Sequence, residues 1–151
     1  MIEIRRAGIE DLPLLAPLFD AYRRFYHQAP DLALARRFLA ERLGRDESVV
    51  FLAHTAGNGD RAGCGFTQLY PLFSSVACRP IWILSDLFVD STCRRAGVAR
   101  RLMEAAHAFA RAQGAATVEL DTAHSNTSAQ ALYDSLGYHR DLAFRHYVLT
   151  L

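Results

Sequence analysis

The sequence is poor in cysteine, which excludes several specialised classes of protein. Only three cysteines occur among 151 residues (Cys64, Cys78 and Cys93), and no two stand at C-x-x-C spacing. We therefore expect isolated thiols rather than a disulfide framework or a zinc centre. Cys93 precedes a pair of arginines, which favours its thiolate, but the sequence offers it no base or resolving partner. We do not expect it to act as a nucleophile.

Long hydrophobic runs and an excess of charge are also missing. No apolar stretch approaches the roughly 18 residues of a membrane span. The first six residues, MIEIRR, lack the order of a signal peptide. Both features favour the cytoplasm and no membrane partner. The formal net charge of +1 argues against a broad nucleic-acid surface.

Helix and strand periodicities alternate along the whole chain. Strands are expected at 2–6, 48–55, 62–70, 81–89 and 116–122, with one or two more in 138–151, and helices at 9–27, 31–43, 98–113 and 126–136. Turn chemistry at 57–60 predicts a hairpin, and 81–89 looks like a central strand buried on both faces. The order β-α-α-β-β-β-α-β-α-β, with one optional further strand, predicts a single α/β domain over 1–151, with a mixed, mostly antiparallel sheet and four helices.

The segment 71–80 is predicted to be a loop, and it is apolar for one. Such a loop suits either a cover over a binding site or a contact between two copies of the chain. The sequence leaves both open.

The most informative segment is the turn that opens the helix at 98–113. A helix N-terminus presents unpaired N–H groups and a positive dipole end, so it attracts phosphate. Gly97 lets backbone approach a ligand closely, and the arginines add charged donors. The Walker pattern and the G-x-G-x-x-G fingerprint are both absent, so a nucleotide fold of those kinds is not indicated. Taken alone, the segment fits a solvated turn equally well.

Two ordered motifs change that balance. Arg94-Arg95-Ala96-Gly97-Val98-Ala99 resembles the R/Q-x-x-G-x-G/A signature of the GNAT superfamily of N-acetyltransferases. Residues 126–138, NTSAQALYDSLGY, resemble the family's N-x-x-A-x-x-L-Y-x-x-x-G-F run, with Tyr138 replacing Phe. The stretch 85–90 looks closest to the branch of small histone and polyamine acetyltransferases. The resemblance covers roughly the C-terminal half of the chain.

The resemblance implies an enzyme that uses acetyl-CoA and needs no metal, with a homodimer as the suspected assembly. The loop would bind the CoA pyrophosphate through the residues Arg94, Arg95, Ala96, Gly97, Val98 and Ala99. The strand at Leu87, Phe88 and Val89 would pair with the peptide-like pantetheine arm. Asn126 would contact the same cofactor, and Tyr133 would protonate the departing thiolate. A backbone N–H near Val89 would stabilise the oxyanion.

The acceptor side is less determined by the sequence. A primary amine must lose a proton before it attacks a thioester, so a base or a desolvating pocket is needed. Asp86 interrupts an apolar strand and is a candidate base or substrate contact, although it equally suits a structural role. Glu119 and Asp121 are weaker candidates, and Asp31 adds to the acidic groups that suit a cationic acceptor.

Several of these residues also have ordinary structural interpretations. Tyr22 and Tyr26 end the first helix and either line the acceptor pocket or pack the core. Taken alone, Tyr133 suits a core position better, and the surrounding motif favours the catalytic role instead. Asn126 also suits a helix cap, which is compatible with a cofactor contact. The acceptor is left open among a polyamine, an amino sugar, an amino acid and a protein amine. The alternative to an enzyme is a non-catalytic module that senses acyl-CoA.

Overall fold

A computed structural model describes residues 1–56 and 61–151, and the predicted hairpin turn at 57–60 lies outside them. The strands are β1 Ile2–Arg6, β2 Val49–Thr55, β3 Gly63–Ser74, β4 Arg79–Val89 and β5 Val118–Glu119. The helices are α1 Leu12–Phe25, α2 Leu32–Gly44, α3 Val98–Ala112 and α4 Thr127–Ser135, with 3-10 turns at Ile9–Asp11 and Ser91–Cys93. The predicted order of elements is confirmed as far as α4.

The chain divides into two compact units, Met1–Leu120 and Asp121–Leu151. The first contains a sheet in the order β1-β2-β3-β4-β5, antiparallel from β1 to β4 and parallel between β4 and β5. This is the mixed, mostly antiparallel sheet that the sequence predicts.

Both faces of the sheet in the first unit are covered. Val50 and Leu52 pack in the main core with α1 and α2, while the Phe51 ring contacts Phe109 of α3. Successive side chains of a strand point to opposite faces, so β2 is the strand buried on both sides. The prediction that 81–89 is buried on both faces is wrong, because only Ile81, Leu84 and Asp86 in that range are buried.

The predicted loop at 71–80 is instead a hairpin of two long strands. β3 continues to Ser74, β4 begins at Arg79, and Pro71 pairs with Trp82 across the ladder. A proline is tolerated there because β2 pairs with β3 only as far as Leu69, so Pro71 lies where β3 has become an edge.

The C-terminal prediction also differs from the structure. No strand forms in 138–151, because this segment has no ladder partner among the described residues. The predicted 116–122 strand shortens to Val118–Glu119. Within residues 1–56 and 61–151, no helix has the length and apolarity needed to cross a membrane.

Candidate active site

Asp86 lies on β4, beside a polar partner on the neighbouring strand β3. Gln68 pairs with Asp86 in the β3–β4 register, whereas the next pair joins Leu69 to Leu84, which leaves Ser85 as an extra residue on β4. Such a β-bulge re-aims neighbouring side chains and is common next to active sites. The Gln68 amide nitrogen donates to Asp86 Oδ2 at 2.8 Å.

Both side chains are buried, which sets their electrostatics. Asp86 is 8% exposed and Gln68 is fully enclosed. Burial raises the pKa of Asp86, and hydrogen bonds from Gln68 and Tyr22 offset part of that rise. The Gln68 carbonyl oxygen has no hydrogen-bond partner among the described residues. A buried acceptor without a donor is costly, so it marks a place where a ligand's N–H would be favoured.

Aromatic side chains surround this carboxyl group. The single O–H of Tyr22 lies 3.4 Å from the Ser85 carbonyl and is also within reach of the Asp86 carboxylate, so either group can accept it. Burial, together with the charge of Asp86, raises the pKa of Tyr22 and that of Tyr70. The Tyr26 ring lies edge-on to Tyr22, with 5.1 Å between centroids. The structure therefore brings together Tyr22, Tyr26 and Asp86, as the acceptor-site hypothesis requires.

Sequence reasoning missed Gln68 and Tyr70. Gln68 interrupts the apolar run of β3 just as Asp86 interrupts β4, and that signal would have identified it. Glu119 is placed differently from the others. It is exposed on β5 and accepts a hydrogen bond from the Thr117 hydroxyl at 3.0 Å, so it lacks the burial that distinguishes Asp86.

The C-terminal half of β4 offers a strand edge. β5 pairs with β4 only at Trp82 and Ile83. The Asp90 N–H donates to Cys64 on the β3 side, and alternate N–H groups of a strand point the same way, so the Val89 N–H points to the other side. No strand of the described chain pairs with Val89 on that side. The edge is therefore open to an extended, peptide-like ligand.

The turn after β4 carries the predicted anion site. The Asp90 carboxylate caps the 3-10 turn by accepting from the Thr92 N–H at 2.9 Å. Arg95 and Gly97 have left-handed backbone, with φ of 64° and 68°. Gly97 is the N-cap of α3, and it supplies no side chain to bond the first N–H groups of that helix. Left-handed residues leading to an uncapped N-terminus form a concave group of donors that fits phosphate.

The second unit carries Asn126 and Tyr133. Asn126 is the N-cap of α4, and its side chain accepts from the Ala129 N–H at 3.3 Å, which confirms the cap that its residue type suggests. Tyr133 is partly buried, and its ring lies 5.9 Å from that of Tyr138. Burial raises the pKa of Tyr138 to about 12.

No three His, Cys, Asp or Glu side chains come together as a possible metal site within the described part of the chain. The arrangement thus consists of a buried carboxyl group, an open strand edge and an uncapped helix N-terminus. These suit proton transfer, an extended ligand and a phosphate respectively.

Known proteins share this arrangement of elements. Residues 15–138 match the model of the acetyltransferase (GNAT) family. The chain is 45% identical over 150 residues to an uncharacterized N-acetyltransferase, YhfO, of Bacillus subtilis, covering 99% of this chain and 98% of that protein. A crystal structure of a probable acetyltransferase is 39% identical with a TM-score of 0.91, covering 99% of this chain and 97% of the other.

A more distant neighbour has been solved with a ligand. It is an aminoglycoside N-acetyltransferase in complex with CoA, 21% identical with a TM-score of 0.79, and the match covers 100% of this chain and 96% of that one. At that identity the likeness shows the fold. The full-length relative and the family match together establish that this chain belongs to the GNAT family of acetyltransferases and is an N-acetyltransferase.

Proposed function

We propose that the enzyme transfers acetyl directly from acetyl-CoA to a primary amine of a small molecule or a protein. The observation that carries the acceptor half is the buried pair of Asp86 and Gln68, whose amide nitrogen lies 2.8 Å from Oδ2 of Asp86. In the reaction the amine nitrogen attacks the thioester carbonyl carbon and the C–S bond breaks. The nitrogen of the bound ammonium gives up two protons and keeps the third as the amide N–H, while the CoA sulfur leaves as a thiolate that takes up one proton. A raised pKa brings a carboxyl group closer to the values that serve a general base near neutral pH.

In this proposal Asp86 is the base, acting directly or through one water molecule. The ammonium form of the acceptor binds between the Asp86 carboxylate and the Gln68 carbonyl oxygen, because both are buried acceptors. Tyr22 and Tyr26 form the aromatic wall beside them, where a cation gains from the ring faces. An acceptor that enters as a cation is favoured, and this includes polyamines, amino sugars and lysine side chains.

For acetyl-CoA we propose the binding site that the resemblance implies. The backbone of Arg94–Ala99 holds the pyrophosphate, and the open edge of β4 at Leu87, Phe88 and Val89 pairs with the pantetheine arm. The uncapped N-terminus of α3 and the outward N–H of Val89 support this assignment. Asn126 contributes a further contact, and Tyr133 donates a proton to the CoA thiolate. Glu119, exposed on β5, stays a candidate substrate contact.

Calorimetric titration with acetyl-CoA, CoA and ATP tests the cofactor half. We expect both CoA species to bind, and ATP to bind at least tenfold more weakly. Thiol release on a panel of polyamines, aminoglycosides and lysine peptides then tests turnover. Tyr133→Phe should cut turnover and leave CoA binding within twofold. Binding of CoA without thiol release on any amine would instead support a module that senses acyl-CoA.

We also propose a homodimer in the cytoplasm. Large apolar side chains near the C-terminus are exposed, and a second copy of the chain would cover them: Leu142, Phe144, Tyr147, Val148 and Leu149. The free thiols suit a reducing compartment. Light scattering should give twice the 16.9 kDa of the chain, and Phe144→Glu should return the mass to that of one chain. A single-chain mass for the unmodified protein would contradict the dimer.

A further inference from the structure

Two cysteines that are far apart in sequence meet beside the proposed phosphate loop. Cys64 lies near the start of β3, and Cys93 ends the 3-10 turn after β4. Backbone hydrogen bonds fix both to Asp90, whose N–H donates to the Cys64 carbonyl at 2.8 Å and whose carbonyl accepts from the Cys93 N–H at 3.0 Å. The Cys93 side chain is close enough to that of Cys64 to contribute to the raised pKa of the Cys64 thiol. All three cysteines are free thiols, as expected, but Cys64 and Cys93 are neighbours in the fold.

The two thiols differ in environment. Cys64 is 0% exposed, and burial together with the Cys93 contact raises its pKa to about 12. Cys93 is partly exposed, so a small oxidant reaches it first. The third cysteine, Cys78, lies in the exposed β3–β4 turn, where its thiol donates to the Ser75 carbonyl. The chain thus contains one pair of neighbouring cysteines, and Cys78 serves as a control that has no partner cysteine beside it.

We propose that Cys64 and Cys93 form a reversible disulfide when the protein meets a peroxide. Cys93 sulfur takes one oxygen from hydrogen peroxide, which gives a sulfenic acid and releases the first water. Cys64 sulfur then attacks the Cys93 sulfur, and the leaving hydroxide takes the Cys64 proton as the second water. Two thiols are oxidised by two electrons, one peroxide is reduced, and a dithiol reductant reverses the bond.

The bond would act on the neighbouring loop. A disulfide is shorter than a contact between two thiols, so its formation draws Cys93 toward β3. Cys93 directly precedes Arg94, whose guanidinium donates to the Val89 carbonyl at 3.4 Å. Oxidation would therefore shift the donors that face the phosphate, and CoA affinity should fall at least threefold. This consequence rests on the proposed function, whereas the disulfide itself does not.

The chemical test uses Cys78→Ser to remove the third thiol. After treatment with a few equivalents of hydrogen peroxide, thiol titration in denaturant should fall from two thiols to none. The intact mass should fall by two hydrogens, and peptide mapping without reductant should link 64 to 93. Dithiothreitol should restore both thiols. A gain of oxygen atoms at Cys93 without the link, or a disulfide between two chains, would overturn the proposal.

A matched variant separates pairing from simple oxidation. With Cys64→Ser added, Cys93 lacks its resolving partner, and peroxide should convert it to sulfinic acid that dithiothreitol does not reverse. Calorimetry then measures the CoA affinity of the oxidised and the re-reduced Cys78→Ser protein, which shows whether the disulfide changes the phosphate loop. An affinity that is equal in the two states would overturn the coupling to the loop. If the reduced protein fails to bind CoA, the proposed function is refuted. The disulfide assignment is unaffected, because it depends on the intact mass and the linked peptide.

Discussion

The Gln68 side chain donates a hydrogen bond to Asp86 across the β3–β4 ladder, and both groups are shielded from solvent. This bond favours the charged form of the carboxyl group, while burial disfavours it more strongly. Gln68 is therefore a positioning residue that limits how far the pKa of Asp86 rises.

Replacing Gln68 with methionine should move the pH profile of the reaction. Gln68→Met keeps the length of the side chain and removes the donor, so the pKa of Asp86 rises further. The acidic limb of kcat/KM should shift to higher pH, and activity at the alkaline plateau should fall only a few-fold.

Thr67→Val is the matched control for this change. The Thr67 hydroxyl bonds to the Asp86 backbone carbonyl at 2.8 Å, so its loss disturbs the same residue without touching the carboxylate. We expect lower stability and an unshifted pH limb. A Gln68→Met profile that superimposes on that of the unmodified enzyme would show that the bond has only a structural role.

Asp86→Asn should separate stability from activity. The folded-state pKa of Asp86 is raised, so the unfolded chain binds fewer protons than the folded one above the ordinary value of about 3.9. Its charge therefore destabilises the fold as pH rises, and an uncharged Asn that still accepts from Gln68 should raise the melting temperature at pH 7 to 8. The gain should disappear near pH 3, where the carboxyl group is protonated in both states.

The same variant should lose turnover by a factor of about 10² or more, the range for removing a general base. CoA affinity should stay within twofold. Thermal melts across pH and initial rates with an excess of acceptor measure the two effects. A variant that is less stable than the unmodified protein at pH 8 would indicate a structural carboxylate and contradict the base assignment.

Periodicity predicted the elements of the first unit well because amphipathic patterns report local burial. It failed where pairing depends on distant residues. Pro71 suggested a loop, yet a proline is acceptable once β2 has ended, which local sequence does not reveal. Asp86 and Gln68 each interrupt an apolar run, which is visible in the sequence, but their pairing depends on the strand register and a bulge, which is not. The contact between Cys64 and Cys93 likewise requires the folded sheet.

The pair of Arg5 and Asp11 should govern acid stability away from the site. Burial alone would raise the pKa of Asp11, but the Arg5 guanidinium and the Gly8 N–H, 2.9 Å away, outweigh it and hold the pKa below its usual range. The ionised Asp11 carboxylate therefore stabilises the fold above about pH 3.9, and this contribution is lost as pH falls through the lowered pKa of Asp11. Asp11→Asn should cost about 1.5–3 kcal/mol at pH 7, as expected for hydrogen bonds to a charged group.

Urea unfolding at pH 7 and near pH 2 measures this difference, which should shrink at the lower pH. Glu10→Gln removes the same charge from the exposed neighbouring residue and should stay within about 0.5 kcal/mol of the unmodified protein. Equal losses for the two variants would show that net charge matters rather than the specific pair.

Two glycines on either side of α3 allow the phosphate loop to be tested against a matched backbone change. Gly97 precedes the helix with φ of 68°, and Gly114 follows it with φ of 70°. At each position an added Cβ would meet no other atom of the described chain within 4 Å. Alanine at either position is therefore strained to a similar degree, and each change should cost about 1–2 kcal/mol of stability.

Their effects on cofactor binding should differ. At Gly97 the new methyl group projects from the surface where the pyrophosphate would approach the backbone, so CoA affinity should fall at least tenfold. At Gly114 the strain lies at the far end of the helix, and affinity should stay within twofold. Calorimetry with CoA below the melting temperature of both variants makes the comparison. Equal affinities for Gly97→Ala and Gly114→Ala would place the phosphate elsewhere, because strain alone would then account for both changes.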